Sequence, residues 1–198
     1  MQKSFQSLCV FCGSRSGARP LYIEQARVLG EAMAARKIEL IYGGGSIGLM
    51  GTIAEAVLAD GGVVKGVIPE ALNKKEIAHM GLQELHVVKN MHERKAMMAE
   101  LTEGFIAMPG GFGTLEELFE VMTWSQLRFH TKPIGILNVD HYYDPFLQMI
   151  DHTIEEGFVS AKDRELLVVR DEPIALLDAM TEKLVSQDET ASTRYDLV

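Results

Sequence analysis

Seven short apolar runs alternate with helix-length stretches, and this alternation limits the fold more than any other property of the chain. The runs are 8–12, 38–42, 63–68, 84–88, 105–108, 133–139 and 166–169. After Pro20, Ile23, Ala26, Leu29, Gly30 and Met33 recur at helical spacing. Further helices are expected over about 49–60, 91–102, 115–127, 145–156 and 173–185. Strands separated by helices of this length pair in parallel. Their continuous apolar character suits a sheet covered on both faces. The expected fold is α/β, a Rossmann-like doubly wound parallel sheet of about seven strands flanked by helices. One domain spanning 1–198 is expected, with a polar, flexible tail after about 186. Ligands of such sheets bind beyond the strands' carboxyl ends, where the strand order reverses. The loops 13–17, 43–48 and 109–114 fall at that edge.

The third of these loops carries Pro109-Gly110-Gly111-Phe112-Gly113-Thr114-Leu115-Glu116-Glu117. Strand, glycine turn and helix follow one another here, so backbone N–H groups at the new helix can hold an anion such as phosphate. A competing explanation is a capping box, with Thr114 as cap and Glu117 reaching back to it. A cap needs neither three glycines nor two successive glutamates. Those carboxylates would compete with a phosphate for the helix's positive end, so cations are expected nearby. Arg94 and Lys95, at the start of the preceding helix, could supply them, or could be a solvated surface pair.

Gly43-x-Gly45-x-x-Gly48 matches the dinucleotide fingerprint, but it follows the second strand and lacks a correctly placed acidic partner. It reads instead as a tight helix–sheet turn or as one wall of a nucleotide pocket. Cys9 and Cys12 lie three apart on a strand, so they face opposite sides and read as two core thiols. Six histidines (79, 86, 92, 130, 141, 152) lack ligand spacing, and no metal is expected. A net charge of −9 disfavours nucleic-acid partners. No run approaches a membrane span and no signal sequence is evident, so a cytoplasmic location is expected.

The Pro109–Glu117 run fits the pattern P-G-G-x-G-T-x-x-E. Together with Met91-His92-Glu93-Arg94-Lys95, the 43–51 glycine loop and Cys12-Gly13-Ser14, it resembles the LOG ("lonely guy") family over roughly residues 8–180. Those proteins are cytokinin riboside 5′-monophosphate phosphoribohydrolases, and some bacterial members act on AMP. The resemblance implies hydrolysis of an N-glycosidic bond without a cofactor, with Arg94 and Glu117 catalytic. It implies substrate contacts at Glu76, Lys95, Gly111, Phe112, Gly113, Thr114, Leu115, Glu116 and Thr123. Ser14, Gly43, Gly44, Gly45 and Ser46 join these as candidates from the neighbouring loops. The loop 110–114 is expected to hold the 5′-phosphate, and the helix N-terminus to keep Glu117 ionised. A homodimer with its site near the subunit interface is also implied. Homologues have been labelled lysine decarboxylases, but the sequence offers no evident pyridoxal phosphate site.

Overall fold

The computed structural model describes residues 4–73, 79 and 82–195, with side chains up to 186. The strands are β1 (Ser7–Phe11), β2 (Glu39–Tyr42), β3 (Val64–Pro69), β4 (Glu84–Val88), β5 (Phe105–Ala107), β6 (Ile134–Leu137) and β7 (Leu167–Arg170). They form one sheet in the order β4-β3-β2-β1-β5-β6-β7, and every pairing is parallel. The order reverses between β1 and β5, where Cys9, Val10 and Phe11 pair with Phe105, Ile106 and Ala107.

The intervening helices are α1 (Pro20–Ala35), α2 (Gly48–Ala59), α3 (Glu70–Asn73), α4 (Met91–Glu100), α5 (Phe112–Gln126), α6 (Asp144–Glu155), α7 (Ala161–Arg164) and α8 (Pro173–Tyr195). Strand side chains alternate between two cores, as the pleat requires. Leu8, Val10 and Cys12 pack with Leu29, Ile53 and Leu177 of α1, α2 and α8. Cys9 and Phe11 pack on the other face with Met98, Leu118 and Ile150 of α4, α5 and α6. The two thiols thus sit in different cores, and burial pushes both up from the usual thiol range.

Most boundaries fall within two residues of the sequence reading and two lie further away. The helix expected from Leu115 begins at Phe112, and the last helix continues to Tyr195 rather than ending near 185. Glycine and polar composition lower helix propensity, but propensity is a weak prior that its surroundings in a fold routinely override. The short helices α3 and α7 and a 3-10 turn at Val139–His141 gave no periodic signal in sequence. Among the described residues, no helix is long and apolar enough to cross a membrane.

Candidate active site

All three expected loops meet at the carboxyl edge beside β1 and β5. The Gly13 N–H donates to the Pro109 carbonyl at 3.1 Å, and the Gly13 carbonyl accepts from Leu49 N–H (3.0 Å) and Met50 N–H (3.3 Å). Two of the first N–H groups of α2 are therefore already used. A dinucleotide pyrophosphate needs such groups free at its helix, so the 43–48 fingerprint lacks its usual donors.

The start of α5 is built differently. Its N-cap is Gly111, with no side-chain cap. The Thr114–Glu117 capping box does not form, because Thr114 lies inside the first turn rather than before it. Thr114 is buried over Gly110, where an added Cβ would overlap the threonine hydroxyl. Gly111 and Gly113 are another matter: a Cβ at either would meet nothing within 4 Å, and neither has a positive φ. Packing within the chain does not demand glycine there. What glycine leaves is open access to the uncapped N–H groups of residues 112–114.

Arg94 and Lys95 do not form a solvated pair. Asn90 caps α4 through Glu93 N–H at 3.0 Å, which fixes the turn carrying both cations. The Arg94 side chain is buried, donating from Nε to the Val67 carbonyl (3.1 Å) and from Nη1 to Glu117 Oε1. Lys95 Nζ donates to Glu116 and, at 3.0 Å, to Glu120 Oε1. Thus α4 grips α5 twice, once inside the protein and once at its surface.

Burial raises the Glu117 carboxyl above the ordinary 4.5, and Arg94 is the main opposing influence. This corrects the expectation that the helix N-terminus keeps it ionised. Glu117 is the sixth residue of α5, beyond the single turn over which a helix dipole acts strongly. Arg94 is instead the first influence that opposes protonation.

Gly43 supplies the seat for Arg94, since a Cβ at this position would overlap the guanidinium. That guanidinium is fixed on both sides and cannot swing away freely. Gly43→Ala should therefore displace it, lowering kcat/KM by about tenfold or more while the fold survives. Steady-state kinetics beside a thermal melt check this; unchanged kinetics would show that the guanidinium's position is not critical.

Beside the open end of α5 lies a cavity of about 440 Å³, lined among others by Ser14, Arg15, Tyr22, Gly110, Gly111 and Tyr142. Ser14 and Gly111 were expected there. Arg15, exposed and without an ion-pair partner among the described residues, and the two tyrosines were not. Gly44 packs instead toward Ile68, Gly45 toward Met50, and the Ser46 backbone lies against Gly51. Phe112, Leu115 and Glu116 follow the open turn, and Phe112 is 93% exposed. Thr123 lies about 14 Å along α5 from Thr114, with its hydroxyl on the Phe119 carbonyl at 2.8 Å. Glu76 falls outside the described residues. Among the described residues, no group of three or more His, Cys, Asp or Glu is placed to hold a metal ion.

Comparison with known proteins bears on this arrangement. A family model described as "Possible lysine decarboxylase" matches residues 50–180. The chain is 49% identical over 187 residues to "Probable cytokinin riboside 5'-monophosphate phosphoribohydrolase LOGL1" of Oryza sativa subsp. japonica, covering 94% of this chain and 84% of that protein. It is 51% identical over 164 residues to "Cytokinin riboside 5'-monophosphate phosphoribohydrolase LOG7" of Arabidopsis thaliana, covering 83% and 76%. Among solved structures, the molybdenum cofactor binding protein from Rippkaea orientalis aligns with a TM-score of 0.69 at 17% identity, covering 93% of this chain and 99% of that one. The molybdenum cofactor carrier protein of Chlamydomonas reinhardtii gives 0.68 at 20%, covering 90% and 97%. Those two share the fold. With close to half of its residues shared with the plant proteins across most of its length, the chain belongs to the LOG family.

Proposed function

We propose that this protein hydrolyses the N-glycosidic bond of adenosine 5′-monophosphates, plain or N6-modified, releasing adenine or a cytokinin base and ribose 5-phosphate. The observation that carries this reading is Glu117, a buried carboxylate paired with Arg94 on the same helix whose N-terminus stands open. From Gly113 to Glu117 the helix rises about 6 Å, comparable with the span from the phosphorus of a nucleotide to its anomeric carbon. The names of the plant relatives support the same chemistry.

As the bond from the anomeric carbon to the base nitrogen breaks, its electron pair leaves with the base and positive charge grows on the ribose. Glu117 stabilises that charge or takes a proton from the attacking water. Arg94 holds Glu117 ionised and in place. The N–H groups at the start of α5 bind the phosphate, with Ser14 and Arg15 at the cavity wall, so remote binding energy orients the reacting centre. Pyridoxal-dependent decarboxylation would need an unprotonated lysine. At Lys95, the lysine beside this site, burial works against the ammonium form but the bonds to Glu116 and Glu120 outweigh it and favour the protonated state.

The protein acts as a homodimer in the cytoplasm. Two buried, unpaired thiols suit a reducing compartment. Phe112, Leu115, Phe119 and Met122 form a stripe along α5, with Phe112 and Phe119 exposed and Leu115 and Met122 packed partly against the core. A second copy on that stripe would cover it and explain why Thr123, remote from the cavity, belongs to the family's substrate contacts.

Incubation with AMP, isopentenyl-AMP and adenosine, followed by chromatography of the products, tests the reading. Free base and ribose 5-phosphate are expected, with kcat/KM for the monophosphates at least about 100-fold above that for the nucleoside. Tight AMP binding without base release would identify a nucleotide carrier instead. A nucleoside cleaved as well as its monophosphate would remove the phosphate cradle.

A further inference from the structure

Two consecutive tyrosines, contributed by the segment after β6, hold the backbone of the glycine motif from the side. Tyr143 is buried and its hydroxyl donates to the Met108 carbonyl at 2.7 Å. Tyr142 is 36% exposed and its hydroxyl donates to the Gly110 carbonyl. The pair thus brackets Pro109, which has no N–H of its own to anchor.

Delivering both rings to one loop requires an unusual turn. Asp140 (φ 48°) and His141 (φ 62°) occupy the left-handed region, which non-glycine residues rarely adopt. Side chains hold them there. Asn138 accepts from Tyr143 N–H and donates to Asp144, both at 2.7 Å, and Asp140 pairs with Arg19. The Tyr142 ring packs edge-on against Tyr143 (5.1 Å between centroids) and Tyr22 (5.8 Å).

We infer that Tyr142 is a positioning residue for the phosphate cradle: its hydroxyl fixes the orientation of the Gly110–Gly111 peptide. The peptide is planar and trans, so its carbonyl and its N–H point in opposite directions. With the Gly110 oxygen held on Tyr142, the Gly111 N–H is fixed as a donor at the N-cap of α5. Flanking glycines make rotation of this peptide easy. A rotated peptide would turn a carbonyl oxygen, with its partial negative charge, toward a bound anion. Tyr142 is not needed to complete the core, because Tyr143 already occupies the buried position. The inference rests on the reading that residues 110–114 hold the 5′-phosphate.

The test compares wild type, Tyr142→Phe and Tyr143→Phe by calorimetric titration with ribose 5-phosphate and by KM for AMP. Y142F keeps the ring and is expected to melt as wild type does. It should bind ribose 5-phosphate about fivefold more weakly and raise KM for AMP by a similar factor. Y143F, which loses a buried hydrogen bond, should melt earlier with ribose 5-phosphate affinity near wild type. Wild-type affinity in Y142F, equal weakening in both variants, or no binding by wild type would each overturn the inference. If wild type binds ribose 5-phosphate yet releases no base from AMP, the proposed hydrolysis fails. The Y142F titration still decides the role of the tyrosine.

Discussion

Glu117→Gln is expected to lower kcat on a nucleoside 5′-monophosphate by about 100-fold or more. Glutamine has nearly the same shape and its oxygen can still accept from Arg94, so the variant removes charge while keeping geometry. An oxocarbenium-like transition state feels that charge directly, because the site is buried and poorly screened. A second effect accompanies the first. Arg94, a residue only 8% exposed, loses its counter-charge, and breaking a buried pair costs about 3–5 kcal/mol when one ion is left alone. The remaining hydrogen bond should reduce that cost, so a lower melting temperature with a folded protein is expected. Turnover measured at saturating substrate, well below the melting temperature, separates the two effects. Near-wild-type kcat in a less stable protein would make Glu117 only the counter-ion of Arg94.

Arg94→Met creates the opposite imbalance, a buried carboxylate with no cation. Burial already raises the Glu117 carboxyl above 4.5, with Arg94 as the first opposing influence. Without the guanidinium the carboxyl rises further. If ionised Glu117 is the active form, wild-type kcat/KM falls on the acid side at a pH above the ordinary carboxyl range. In Arg94→Met that limb moves to higher pH, and activity at neutral pH drops by about 100-fold or more. Stability follows the same shift. A folded-state value above the unfolded one means that the native protein binds this proton more tightly. The contribution of Glu117 is then greatest below 4.5 and declines as pH rises through the folded-state value. Arg94→Met should accordingly lose more stability than wild type between mildly acidic and neutral pH. A pH–rate profile and melts across the same range check both statements. An acid limb at its wild-type position would show that Arg94 does not control Glu117.

Strand and helix order was legible because each run has its own period: continuous apolar strands, and helices with one apolar face. The Pro109–Glu117 run was legible because three glycines and two glutamates exceed what a helix cap needs. How Glu117 is held was not legible. The capping-box pattern is local, and a partner 23 residues away leaves no trace in spacing. Arg94 and Lys95 were visible as candidates, but an adjacent Arg-Lys on a helix looks the same whether it grips a neighbour or faces water. Gly43 read as part of a nucleotide fingerprint, whereas its missing side chain makes room for Arg94. Tyr142 and Tyr143 gave no signal in the sequence, because the turn that aims them depends on two left-handed residues without a glycine. Long-range side-chain partners were the part that sequence concealed.

Gly13 has a consequence for how the molecule opens. Its N–H and carbonyl bond in opposite directions, to Pro109 on one side and to Leu49 and Met50 on the other. The bond to Pro109 crosses the seam between the two halves of the sheet, β4 to β1 and β5 to β7, and the other two tie α2 to the same residue. Fraying of either half at this edge breaks the Gly13–Pro109 bond. Opening of the glycine motif therefore breaks a bond to the neighbouring half, unlike opening of a loop held only by its own residues. The edge that carries the candidate site is thus tied through one glycine to both halves of the sheet and to α2.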